Sequence, residues 1–475
     1  MSTESKNSFD DPGKRRIGPF AVPFLAWLFL LYALPMIVFL AVTIPPFQVT
    51  DEYAHALRAD QVSRGKLISP RLGGDIDGAL YAFGRLYYTG MPFHSEVKHA
   101  PETARAAATV RWAVPDHDEN FQNTAQYGPV LYLPQAMAIW LGKLVGLNPV
   151  WTILGTRLVN GLVAALISFI AIRICRRGQA LLFTTLLLPM TMSEFGSVSQ
   201  DALIISLSLL VVALASRIID EGRSAKVWEF ALFVFIVVAT TLGRPSQLAL
   251  LPLGLALIRG REILAWRNLV IATLGLISAA PWMVVLFRLM PDEVSGGSVS
   301  GQLAAMIRHP LLLPTVLAYT FQESGWWLLG TMVGRLGWVD TPMPEWYVWT
   351  AVGTLVCGWL APGNRPPWTR PALISLVTLV AVLMATSAAL YMSWTPVGKM
   401  TIDGVQGRYM LPVLPLLAWM APVYARYLAR AVSPVWIMVG AFPLVTLATL
   451  PGVIMDRYYG SWSETGLVLK VLFFG

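Results

Sequence analysis

Ten apolar runs govern what this chain can become: Phe20–Ile44, Pro149–Ile172, Ala180–Met192, Ala202–Ile219, Val227–Thr241, Asn268–Phe287, Trp346–Leu360, Leu373–Tyr391, Leu411–Leu428 and Val435–Leu450. A membrane-spanning helix takes about 20 mostly apolar residues. No soluble fold can bury all ten. Composition agrees: 56% of the 475 residues are hydrophobic and 13% are charged, against about 25% charged in ordinary globular domains. Cys175 and Cys357 lie in or beside apolar runs, far apart, and suggest neither a disulfide framework nor a zinc site. A net charge of +8 would suggest nucleic acid in a soluble protein. Here the basic residues collect at helix ends, where they set orientation.

The first apolar run is too long for a cleaved signal peptide. Pro45-Pro46-Phe47 follows it instead of a small-residue cleavage site. It is therefore expected to stay as the first span, after a cytoplasmic tail at 1–16 containing Lys14, Arg15 and Arg16. Further basic connections are Arg173–Arg177, Arg217–Lys226, Arg259–Arg267, Arg365–Arg370 and Arg426–Arg430. Placing all of them in the cytoplasm requires an even number of crossings between them. Two apolar stretches then become helices lying on the outer interface: Pro129–Leu147, with Gln135 and Lys143, and His309–Val333, with Gln322, Glu323, Trp326 and Trp327. With the short Ser246–Ile258 counted, the expectation is an all-α polytopic transmembrane bundle of about eleven spans. It is read as a single domain, 17–475, with a first periplasmic loop at 45–148 and a second outer segment at 289–344.

Residues able to do chemistry gather at the outer ends of these spans. Thr50 can cap a helix whose first turn holds Asp51 and Glu52. His55 and Arg58 follow at helical spacing, so all are expected on one face. Such a set can bind Mg²⁺ or Mn²⁺, through Asp51 and His55 with Asp201 as a further carboxylate, or can supply a general base. The plain alternative is a capped amphipathic helix. Glu194, Gln200 and Asp201 interrupt an apolar hairpin, and Arg244 is a cation at an outer turn. In Gly404-Val405-Gln406-Gly407-Arg408-Tyr409 two glycines flank Val-Gln at the start of a span. They let the backbone approach a ligand, and Arg408 there suits a phosphate. An interfacial Arg–Tyr anchor is the other reading. Gly334–Pro342 adds Trp338 and Asp340, fit either for a sugar platform or for an interface anchor.

The opening Pro45-Pro46 … Asp51-Glu52-x-x-His55 resembles the first outer loop of GT-C glycosyltransferases, polytopic enzymes that use polyprenyl-phosphate-linked sugars. Tyr127-Gly-Pro-x-x-Tyr132, Arg157-Leu-Val-Asn160, Ser199-Gln200-Asp201, Gly334–Pro342 and Gly404–Tyr409 look similar to a less characterised bacterial membrane family placed near that class. Residues 68–123 match nothing in either. The resemblance implies an acid in the first outer loop as base or metal ligand, Asp51 with Glu52, and a second acid at Asp201. It further implies transfer, with inversion, from a polyprenyl-phosphate sugar to a glycan or lipid-linked acceptor outside the bacterial inner membrane. Arg58, Arg244, Gln406, Arg408, Tyr409, Trp338 and Asp340 are then the expected donor-phosphate and substrate contacts. A polysaccharide polymerase or ligase centred on Arg and His is one alternative. A flippase of lipid-linked glycans is another, and would carry acids and bases near mid-span.

Overall fold

A computed structural model describes residues 22–70, 72–112, 115–258, 265–289, 298–361, 369–421 and 432–474. The tail at 1–16, the basic loop at 426–430 and most of those at 259–267 and 365–370 lie outside the described residues. Five helices are long and apolar enough to cross a membrane: Phe24–Thr43, Pro149–Ile174, Asp201–Glu221, Arg370–Ser393 and Pro434–Tyr458. Each coincides with an expected span. Four of them carry large exposed apolar side chains on their outward faces, such as Trp27, Leu31, Leu166, Leu373, Val380, Ile437 and Leu444, as a lipid-facing surface requires; Asp201–Glu221 is enclosed within the protein, 83% of its apolar stretch buried. The chain is a predominantly helical membrane protein.

Of the other expected spans, Asn268–Phe287 falls on a continuous 24-residue helix, Trp266–Leu289, and Trp346–Leu360 on the 16-residue helix Glu345–Leu360; the rest are shorter or broken. Val227–Gly243 and Pro245–Leu257 are shorter apolar helices. The run Ala180–Met192 is not one helix but two, Gln179–Leu186 and Pro189–Phe195. Pro189 has no N–H to continue the first, so it opens the second. Both are buried throughout, so protein rather than lipid covers the interrupted backbone. Leu411–Leu428, expected as a helix, runs as 3₁₀ turns at Gly407–Met410 and Leu414–Met420 over its described part. The two segments set aside as interfacial are not crossing candidates. Leu133–Leu144 has 12 residues, too few to span. Leu312–Val333 lies against the 402–407 segment: the N–H of Ile402 donates to Thr320 Oγ1 and that of Gly407 to Thr331 Oγ1.

Helix-end contacts give the bundle two chemically distinct ends. At one, Arg176 donates its N–H to Ser216, the Ala225 N–H bonds Leu257, and Arg370 donates to Leu255 and Ile258. At the other, Gly128 bonds Leu242, Gln200 donates to the Gly243 carbonyl, and Asn160 donates to the carbonyls of Ser197 and Ser199. The first loop folds over this second end. It contains a small antiparallel pair, Gly73–Ile76 with His117–Asn120, and helices Glu52–Ser63, Gly78–Tyr88 and Pro101–Thr109. A second short hairpin, Arg335–Leu336 with Thr341–Pro342, lies beside it.

Within the loop, His99 is 3% exposed between the rings of Tyr87 and Tyr459. Burial pushes its imidazole down from 6.5 to about 4. The unfolded chain therefore binds a proton that the folded chain refuses, so stability is full above the unfolded value and falls as pH drops through 6.5 toward 4. The loss is about 3 kcal/mol at one proton. Thermal unfolding of His99→Phe should show a flatter pH dependence over that window than wild type.

Candidate functional site

The site is assembled where the two acids of the first loop part company. Asp51 precedes the helix at φ 62°, in the left-handed region, and its side chain makes no cap. The expected cap, Thr50, instead donates to the Gly337 carbonyl. Asp51 lies outside helical geometry, and of the three residues expected to converge Glu52 turns to partners of its own, while Asp51 stays within electrostatic reach of His55. Glu52 points inward. Its carboxylate accepts from Arg157 Nε at 2.7 Å and Nη2 at 2.6 Å, and from the backbone N–H groups of Phe47 and Val198 at 3.0 Å each. Glu52 is 0% and Arg157 2% exposed, and Arg157 also donates to the carbonyls of Ala41, Ile44 and Pro45. With both oxygens spent, Glu52 has none left for a substrate hydroxyl.

Asp51 points the other way. Its side chain is 37% exposed, 3.5 Å from Arg408 Nη2, and Asn123 Nδ2 donates to its second oxygen at 3.1 Å. Arg408 was expected at the membrane surface. It is 5% exposed, and Glu194 holds its Nη1 at 2.5 Å, so a buried acid aims the guanidinium. Arg244, read from the sequence as a lone cation, lays one terminal nitrogen across both oxygens of Asp201, at 2.6 and 2.8 Å. The Tyr409 ring lies beside both guanidinium groups, 4.8 Å from Arg244 and 5.6 Å from Arg408. Neighbouring acids keep both arginines charged: Glu194 lifts Arg408 and Asp201 lifts Arg244 against the cost of burial.

His55 lies within the electrostatic field of Asp201 and Asp51, but burial dominates and pushes its imidazole down, so it is neutral near pH 7. Its Nδ1 and the Tyr132 hydroxyl share a 2.6 Å hydrogen bond, and Tyr127 stacks on the ring. Arg58 is not at the site as a phosphate ligand. Its guanidinium donates to the carbonyls of Tyr127, Lys66 and Leu67 and to Gln61, tying the first loop together. Gln406 is half-buried beside Gly407, whose missing side chain lets the Leu328 carbonyl approach within 2.0 Å of where a Cβ would sit. That glycine packs against helix Leu312–Val333.

Asp340 and Trp338 flank the cluster. The Asp340 carboxylate accepts from Arg457, from Thr341 and from the N–H groups of Phe93 and Trp338, so it organises a loop. Trp338 Nε1 donates to the Phe47 carbonyl at 3.1 Å, fixing that loop beside Asp51. Among the described residues no three His, Cys, Asp or Glu side chains form a metal-holding group. In this structure Asp201 pairs with Arg244 through both oxygens, Asp51 faces Arg408, and His55 bonds Tyr132 through Nδ1.

Two residues that matter were given no role by sequence reasoning. Arg157 and Glu194 are charges in apolar surroundings, and such charges in membrane segments carry partners. That signal was present; the identities of Glu52 and Arg408 as those partners were not.

No curated protein matches this chain. Residues 26–417 match the family described as "Predicted membrane protein (DUF2142)", and the chain belongs to that family.

Proposed function

We propose that this DUF2142 protein is an inverting membrane glycosyltransferase, moving a sugar from a polyprenyl-phosphate carrier to an acceptor hydroxyl outside the bacterial inner membrane. The observation that carries the proposal is the placement of Asp51: a carboxylate left open, 3.5 Å from a buried arginine. In the reaction Asp51 takes the proton of the acceptor hydroxyl, and the freed oxygen bonds to the anomeric carbon. The bond from that carbon to the carrier phosphate breaks through an oxocarbenium-like state. The electron pair leaves with the phosphate, whose charge is met by Arg408 and by the part of the Arg244 fork not spent on Asp201.

The sidedness follows from charge. Basic connections such as Arg173–Arg177 and Arg217–Lys226 occupy the end opposite Asp51, and basic loops face the cytoplasm. The site would then open to the periplasm, at the depth of the carrier's headgroup. Charges collected at one end, rather than along mid-span, favour a transferase over a flippase.

Arg408→Lys tests the phosphate role. Lysine keeps the charge but loses the planar fork held between Glu194 and Asp51. Binding of a polyprenyl-phosphate sugar to the reconstituted variant should weaken about tenfold, roughly 1.4 kcal/mol. Unchanged affinity would take Arg408 out of the donor site.

A further inference from the structure

We propose that the rings of Trp338, Tyr88 and Phe93 form a shelf that seats a neutral glycan acceptor beside Asp51; this rests on the transferase reading above. The rings of Tyr88 and Phe93 each stand 5.6 Å from that of Trp338, tilted 64° and 62° to it. Trp338 thus makes a floor with two walls. Tyr88 is 41% and Phe93 66% exposed, while Trp338 is half-buried. Aromatic faces present hydrophobic area with a polar rim, which suits the mixed surface of a sugar. The rim here is acidic. Burial, then the charges of Asp51 and Glu119, push the Tyr88 hydroxyl up, so both carboxylates lie within its electrostatic reach. Acceptors of that kind suit hydroxyl donors and disfavour anions.

The backbone gives a separate reason to assign a ligand. Among the described residues four non-glycines have positive φ: Phe47, Asp51, Phe93 and Val339. All four gather here, since Trp338 bonds the Phe47 carbonyl, Val339 joins Trp338 to Asp340, and Asp340 accepts from the Phe93 N–H. Left-handed backbone is costly for residues with a side chain and free for glycine. A chain shaped for stability alone would place glycine at 93, where the ring is mostly in solvent. Holding a phenylalanine there spends strain to aim a ring, as functional loops do. A lipid anchor is the competing use of exposed aromatics. The neighbours of Phe93 and Tyr88 speak against it: Glu96 is 71% exposed beside His94, and an acidic rim repels anionic headgroups.

The test is direct binding of neutral hexose and N-acetylhexosamine tetrasaccharides to the full chain in nanodiscs, read by saturation-transfer NMR. Wild type should bind at least one of them. Phe93→Gly should weaken that binding at least fivefold while its unfolding midpoint holds or rises, because strain is relieved. Trp338→Phe, which keeps a ring but loses the bond to Phe47, should weaken it as well. No binding by wild type, or binding unchanged in both variants, overturns the shelf. The transferase reading is scored separately by wild-type cleavage of a polyprenyl-phosphate sugar in the same nanodiscs. Cleavage without oligosaccharide binding overturns the shelf alone. Binding that depends on Phe93, without cleavage, overturns the transferase reading and keeps the shelf.

Discussion

Glu52→Ala should cost the fold about 3–5 kcal/mol, the usual penalty for stranding one charge of a buried pair. Arg157 is 2% exposed, so its guanidinium is largely cut off from bulk solvent. Three carbonyls, those of Ala41, Ile44 and Pro45, would remain around it, but carbonyls do not neutralise a cation. The N–H groups of Phe47 and Val198 would also lose their acceptor. These contacts join the exit of the first span, the start of Pro149–Ile174 and the turn before Asp201, so the whole second end of the bundle should loosen. The measurement is the unfolding midpoint and monodisperse yield in detergent. The paired change Glu52→Leu with Arg157→Met should recover part of the loss, because removing both charges also removes their desolvation cost. A wild-type midpoint for Glu52→Ala would mean that the pair holds nothing together.

Asp51→Asn should behave in the opposite way: the fold survives and turnover is lost. Asparagine tolerates the left-handed region at least as well as aspartate, so the backbone at φ 62° has no reason to move. The side chain is 37% exposed and its ion pair with Arg408 is long, at 3.5 Å, so little stability depends on it. Basicity alone is removed. A general base typically contributes on the order of 10²–10⁴ in rate, and turnover should fall by that factor with donor binding retained. The two neighbouring acids thus separate cleanly, one by stability and the other by rate.

That separation was not legible in the sequence. Asp51 and Glu52 are adjacent, both acidic, and both compatible with a helix N-terminus. What divides them is one positive φ and an arginine 105 residues away. The apolar runs were legible because hydrophobicity is a local property, and each of the five long helices falls on a run. Helix continuity was less so: the break at Pro189 carries a visible cause, whereas the 3₁₀ path of Leu414–Met420 depends on packing against its neighbours. Arg408, Arg244 and Asp201 were recognisable as charges at span ends. Their pairing was not, since Arg244 with Asp201 and Arg408 with Glu194 join residues 43 and 214 positions apart. The partners of Arg58 are equally hidden in the sequence: apart from Gln61 they are main-chain carbonyls, which no residue type announces.

The central claim is that Asp51 is the base of a transferase fed by a lipid-phosphate sugar. The most direct measurement reconstitutes wild type and Asp51→Asn in liposomes with a panel of polyprenyl-phosphate sugars labelled in the sugar. Release of the carrier phosphate and movement of label to a supplied glycan are followed together. Wild type should turn over at least one donor, and Asp51→Asn should bind that donor equally well while turning it over on the order of 10²–10⁴ more slowly. A wild type that cleaves no donor in the panel, or an Asp51→Asn protein that keeps wild-type turnover, would contradict it.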